Sequence, residues 1–128
     1  MNGRPLHHIA LGTSRVEVLA EFYEHGIGLE RLKVHYEKDG HEIRSIWLRS
    51  ASVVLMVERT DSSPALPTSP LIPGWSTLVF GGDFDASYKE RIRSLGGRDD
   101  GQTDYTLYFR DPDGNRFGLS HYRFEGLT

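Results

Sequence analysis

The stretch Asp104-Tyr105-Thr106-Leu107-Tyr108-Phe109-Arg110-Asp111-Pro112-Asp113-Gly114-Asn115-Arg116-Phe117-Gly118-Leu119-Ser120-His121-Tyr122 reads as two strands folded on one tight turn. Asp111-Pro112-Asp113-Gly114 puts proline where its fixed φ suits a turn and glycine at the turn's end. Upstream of this hairpin, Trp75 to Phe80 forms a strand. Asp85 can then cap a helix whose inner face is Tyr88, Ile92 and Leu95, with Gly96-Gly97 as its stop. A short or degraded strand is expected around Arg98 to Asp100. The order is β-α-(β)-β-β.

The first half of the chain repeats that order. Leu6 to Leu11 is a short strand. Ser14-Arg15-Val16-Glu17 has the form of a capping box, and Val16, Leu19, Ala20, Tyr23 and Ile27 follow at helical spacing with Phe22 beside them. Gly26 and Gly28 end this helix. Arg31 to Tyr36 and His41 to Leu48 form a hairpin about Lys38-Asp39-Gly40. After Arg49-Ser50-Ala51, the run Ser52 to Arg59 reads as a strand covered on both faces, since Val53-Val54-Leu55-Met56-Val57 is apolar throughout. The segment from 60 to 74 carries Pro64, Pro67, Pro70 and Pro73 and is expected to be an extended linker. The organisation is one α+β domain of paired βαβββ modules, 1–59 and 75–128, joined by 60–74. Duplication on this scale is itself a sign of fold. Each module is expected to lay its helix on one sheet face and leave the other free to enclose something.

Composition narrows the functions available. A chain of 128 residues can bury roughly two-thirds of its unfolded surface without a covalent staple. Hydrophobic residues at 38% and charged residues at 26% are ordinary for a soluble fold. A net charge of −3 argues against a nucleic-acid backbone as partner. With no cysteine there is no disulfide scaffold, Cys-ligated zinc or thiol nucleophile. No apolar run nears the roughly 20 residues of a membrane span, and the first residues lack a signal-peptide core. The expectation is a cytoplasmic protein without a membrane or nucleic-acid partner. No phosphate loop, nucleophile elbow or His-Glu-x-x-His motif is present.

His8-Ile9-Ala10-Leu11, Ala20-Glu21-Phe22-Tyr23 with Gly28-Leu29, the helix of Ala86 to Gly97, and Asp111-Pro112-Asp113-Gly114-Asn115 together resemble the vicinal oxygen chelate superfamily, the glyoxalase, bleomycin-resistance and extradiol-dioxygenase group. The resemblance covers almost the whole chain. It implies paired βαβββ modules whose sheets curl around a cavity, and a homodimer. It also implies a divalent metal held by His and Glu from several strands, with open positions for a substrate bearing two neighbouring oxygens. At the matched positions stand His8, Leu55, Trp75 and Gly118, so only the first keeps a donor. Glu58 and His121 lie three residues beyond two of these positions. That odd offset turns a strand residue to the opposite face unless a bulge or another register intervenes.

The resulting expectation is a protein without the usual metal and with no cofactor, binding a small, partly apolar or aromatic molecule between the modules. His8, Ala10, Trp47, Leu55, Val57, Trp75, Thr77 and Gly118 are the expected lining, with Ser45 and Ser120 as polar points. His8 is the pocket-facing member of His7-His8; its bland role is a hydrogen-bonded relic in the wall. Trp47 and Trp75 stack on a ligand or pack in the core. One of Tyr105 and Tyr108 adds a hydroxyl. Arg44, Arg49, Arg110 and Arg116 are solvated faces, of which one can neutralise a ligand acid. The alternative is a metal-dependent lyase, isomerase, dioxygenase or thiol transferase with a rearranged site at His8, Glu58 and His121. A dimeric domain with a vestigial cavity is a third reading.

Overall fold

The computed structural model describes Gly3 and residues 5–60 and 76–124. The proline-rich segment falls almost entirely outside the described residues, and so does Trp75. The chain divides into two compact units, Met1–Pro64 and Ala65–Thr128.

In the first unit, β1 (His8–Thr13), α1 (Val16–Gly26), β2 (Glu30–Tyr36), β3 (Ile43–Ser50) and β4 (Val53–Arg59) follow in the expected order. The sheet runs β1-β4-β3-β2, with β1 parallel to β4 and the other neighbours antiparallel. Val16, Leu19, Ala20, Phe22 and Tyr23 of α1 are buried, and the helix packs on β3 and β4. Beneath it lie two cross-strand pairs, Ile46 with Val57 and Leu48 with Leu55, all buried. Each such side chain removed from water stabilises the unit by roughly 1.5–3 kcal/mol before chain entropy is counted.

The helix start differs from expectation. No side chain caps α1, and the hydroxyl of Thr13 accepts from the Arg15 amide at 2.9 Å instead. Glu17 does not reach back as a capping box requires. It accepts from the Arg31 guanidinium at 3.4 Å, alongside Glu24 at 2.5 Å. The hydrogen bond to Glu24 is the main reason the Arg31 pKa is raised. The β2–β3 hairpin turns at Gly40, whose φ of +77° suits glycine. Its second strand begins at Ile43 rather than His41. The Asp39 carboxylate takes the amides of His41 and Glu42 at 2.9 and 3.2 Å, and these bonds hold its pKa below the ordinary value.

The second unit repeats the pattern with β5 (Thr77–Gly81), α2 (Tyr88–Ser94), β6 (Arg98–Gln102), β7 (Thr106–Arg110) and β8 (Arg116–Ser120), ordered β5-β8-β7-β6 in the sheet. Ile92 is buried, and Tyr88 meets Phe109 edge-on at 5.8 Å. Burial raises the Tyr88 phenol above its ordinary pKa, partly offset by Arg91. Asp85 does not cap α2. Its carboxylate accepts from the amide and hydroxyl of Ser87, the residue at the cap position, two residues further on. The expected degraded strand is β6, whose pairing with β7 slips between Asp99 and Gln102. The Asp111–Asn115 turn forms as read. Asp111 Oδ1 accepts from the amides of Asp113 and Asn115, and the Gly114 amide donates to the Asp111 carbonyl, each at 2.9 Å.

Candidate functional site

Each sheet has one face under its helix and one opposite it. In the first unit the ladder pairs His8 with Val54, Ala10 with Met56, and Gly12 with Glu58. It also pairs Trp47 with Met56 and with Lys33, and Ser45 with Glu58 and with His35. Cross-strand partners share a face. The face opposite α1 therefore carries His8, Ala10, Met56, Glu58, Ser45, Trp47, Lys33 and His35. Leu55 and Val57, expected to line a cavity with Ala10, lie instead in the core under α1. Glu58, expected on the far side, shares the face of His8. The two are four rungs apart, about 13 Å along the strands.

His7 precedes β1, so strand alternation does not separate it from His8. Their Nδ1 atoms are 2.9 Å apart in a hydrogen bond, on exposed rings. Trp47 packs against His35 with ring centroids 4.5 Å apart. Trp47 Nε1 and His35 Nε2 are buried without a hydrogen-bond partner among the described residues.

The second unit's open face has three cross-strand rows. Gly81, Ser120 and Thr106 make the first; Val79, Gly118 and Tyr108 the second; Thr77, Arg116, Arg110 and Arg98 the third. Gly81, Ser120 and Thr106 of the first row and Val79 and Tyr108 of the second border a recess of about 470 Å³ that Phe80, Thr103, Tyr105, Tyr122 and Phe124 also line. Its polar points are quiet. Thr106 Oγ1 donates to Ser120 Oγ at 2.8 Å, and Ser120 Oγ donates to the Tyr105 carbonyl at 3.3 Å. Aromatic rings rim it, with Tyr105 on Tyr122 at 5.1 Å and Tyr122 on Phe124 at 5.1 Å. Gly118 pairs with Tyr108 in the second row. A Cβ there would come within 3.1 Å of Tyr108 Cδ1 and of the Leu107 carbonyl oxygen.

Of the expected site residues, Thr77 and Gly118 lie on this face, and both Tyr105 and Tyr108 border the recess. His121 stays outside it. Its ring packs on Phe84 and Tyr105, and its amide donates to the Tyr105 carbonyl at 3.1 Å. Val79, Tyr122, Phe124 and Arg98 escaped sequence reasoning. The alternation of Tyr122 and Phe124 beyond the last strand was the available signal.

Comparison with known proteins follows from this geometry. The family model of the Glyoxalase/Bleomycin resistance protein/Dioxygenase superfamily matches residues 5–119. The chain belongs to that superfamily. No curated protein matches the sequence. Among solved structures, a glyoxalase family protein from Enterococcus faecalis is 24% identical with a TM-score of 0.69, covering 94% of this chain and 99% of that one. A fosfomycin resistance protein, FosX, from Listeria monocytogenes, in complex with Mn(II) and a dihydroxypropylphosphonic acid, is 20% identical with a TM-score of 0.75, covering 94% of each chain. A lactoylglutathione lyase from Agrobacterium tumefaciens is 20% identical with a TM-score of 0.63, covering 94% of this chain and 95% of that one. At these identities the likeness is one of fold.

The superfamily's divalent metal can be tested against the residues present. At the matched positions His8 supplies an imidazole, Leu55 is buried under α1, and Gly118 has no side chain. The Tyr108 ring stands against the spot where a Gly118 side chain would begin. Among the described residues no three His, Cys, Asp or Glu side chains converge. Of the matched positions that are described, His8 alone offers a metal donor.

Proposed function

We propose that this superfamily member binds a small, partly apolar or aromatic molecule in the recess on the second unit's open sheet face. One observation carries the reading: a concavity of about 470 Å³ walled by Tyr105, Tyr108, Tyr122, Phe124 and Val79, with hydroxyls at Thr106 and Ser120. Ligand sites run from roughly 300 to 1,000 Å³, with mainly apolar walls and a few placed polar groups. Aromatic rings offer flat area at little entropic cost, and edge or offset contact with a second ring adds to it. Because the hydroxyls already bond to one another, the recess favours a body that makes few hydrogen bonds of its own.

The test is equilibrium dialysis with naphthalene-2-carboxamide, a neutral planar probe, against wild type and Tyr122→Ser. Tyr122 is exposed, so its replacement leaves the fold intact while removing one wall. Saturable binding that weakens several-fold in the variant supports the reading. Binding that ignores the substitution, or no binding, overturns it. Metal analysis of the purified protein tests the metal-dependent enzyme reading separately: a stoichiometric ion lost on His8→Ala would favour that alternative.

A further inference from the structure

We propose that the recess takes its ligand by a rounded cationic head: a quaternary ammonium seated in the corner formed by Tyr105, Tyr122 and Phe124, with an apolar body towards Val79 and Tyr108. This rests on the binding reading above and specifies its ligand. The three rings follow one another at near right angles. Tyr105 and Tyr122 have centroids 5.1 Å apart with planes at 80°, and Tyr122 and Phe124 are 5.1 Å apart at 72°. All three line the recess, and each is half or more exposed. A flat ligand stacks best on parallel, offset rings. Successive perpendicular rings leave no parallel slot. They make a corner, which a compact head fills by touching more than one ring.

The walls favour positive charge on that head. An aromatic ring is negative over its face and attracts a cation within about 6 Å of its centroid. On this same sheet face Tyr108 already holds one, with Arg116 Cζ 3.9 Å from its centroid. Among the described residues no charged side chain lines the recess, so no basic group fills the corner. Asp104 and Arg123, the charged neighbours of these rings in sequence, are exposed and opposite in sign. Arg116 is remote from the corner. It stands four residues before Ser120 on β8, about 13 Å along the strand, and its Nε donates to Asp100 at 2.7 Å. Tyr105 and Tyr122 lie at the Ser120 end, where the Tyr105 carbonyl and the Tyr122 amide both bond to Ser120 Oγ. Physiological salt screens charges over about 8 Å, so repulsion from Arg116 is small there.

Hydrogen bonds already made choose between kinds of cation. Ser120 Oγ accepts from Thr106 Oγ1 at 2.8 Å and from the Tyr122 amide at 3.2 Å, and donates to the Tyr105 carbonyl at 3.3 Å. Thr103 Oγ1 accepts from the amides of Tyr105 and Thr106 at 3.2 and 3.1 Å. A primary ammonium entering the corner gives up water at each N–H and finds these oxygens engaged, which is costly. A quaternary ammonium has no N–H to leave unpaired. Its methyl groups carry the charge and rest directly on the rings.

The test measures trimethyl(2-naphthylmethyl)ammonium, 2-naphthylmethylammonium and neutral naphthalene-2-carboxamide by equilibrium dialysis. The quaternary probe is expected to bind about tenfold tighter than the amide, as attraction to several partly exposed rings gives, and tighter than the primary ammonium. Choline and 3,3-dimethylbutan-1-ol, alike in shape and different in charge, then compete for the site of the quaternary probe. Choline should displace it at about one-tenth of the alcohol's concentration. Phe124→Leu and Tyr105→Leu keep apolar bulk and remove a ring. Phe124 lies beyond the last strand and is 64% exposed, so its replacement leaves the fold standing. Each variant should narrow the preference for the quaternary probe several-fold while shifting binding of the amide less. Four results each overturn this inference and leave the recess as a binding site: amide bound as tightly as the quaternary probe, primary ammonium bound as tightly, equal competition by choline and the alcohol, or a preference that both variants keep. Failure of all three naphthyl probes to bind overturns the underlying reading as well.

Discussion

Gly118 offers a quantitative test of how the second unit's open face is built. In Gly118→Ala the new Cβ meets the Leu107 carbonyl oxygen at 3.1 Å, Tyr108 Cδ1 at 3.1 Å and Thr106 Cγ2 at 3.3 Å. Two effects oppose each other. Replacing glycine within a strand reduces the entropy of the unfolded chain and stabilises by about 0.5–1 kcal/mol. Overpacking a well-filled site costs about 1–3 kcal/mol. The Leu107 carbonyl is held by the ladder, and Tyr108 carries Arg116 against its ring, so neither neighbour gives way freely. Crowding should win, leaving the variant destabilised by about 1 kcal/mol. In a Tyr108→Ala background one of the three contacts disappears, and the same substitution should cost at least about 0.5 kcal/mol less. Urea unfolding followed by far-ultraviolet circular dichroism measures all four proteins. A stabilised Gly118→Ala, or an unchanged cost without Tyr108, would refute the reasoning. Gly118→Glu, which adds a larger side chain at the same point, must displace the same ring and should be less stable than Gly118→Ala.

Other consequences are open to measurement. Val57→Ala should cost about 2–3 kcal/mol because Val57 is wholly buried beneath α1, whereas Glu58→Ala should stay within about 0.5 kcal/mol in the same urea assay. Similar costs for the two would restore the opposite assignment of β4's faces. Asp39 should titrate below 3.8 by carboxyl NMR. Its contribution to stability is then complete above the unfolded-state value and lost as pH falls through the depressed one. Tyr88 should ionise above 10.0 in an ultraviolet titration. Its burial stabilises the fold fully below the ordinary phenol value, and that contribution fades as pH rises through the raised one.

The repeated β-α-β-β-β order was legible because glycines and the Asp-Pro-Asp-Gly turn punctuate runs with clear periods. Strand and helix ends shifted where side chains captured backbone amides, as Asp39 does at His41 and Glu42 and Asp85 does at Ser87. The faces of β4 were not legible. Val53 to Val57 is apolar at every position, so no alternation marks which side is buried. The burial of Leu55 and Val57 with Leu48 and Ile46 beneath α1 settles it. Thr77 and Gly118 share the open face because their alternation was fixed by the polar residues around them. The recess itself was half visible: Tyr105 and Tyr108 stood out within a strand, but Tyr122 and Phe124 follow the last one. The third row of the open face was hidden in a different way. Arg110 and Arg116 flank the turn symmetrically, whereas Arg98 joins them only through a strand with an irregular register.

The central claim, that the second unit's open face is where a small molecule binds, is tested most directly by mapping backbone amide NMR shifts during titration with naphthalene-2-carboxamide. The predicted result is saturable shifts concentrated at Val79, Thr106, Tyr108, Ser120 and Tyr122. Shifts centred on His8, Trp47 and Met56, or none at saturating probe, would contradict it.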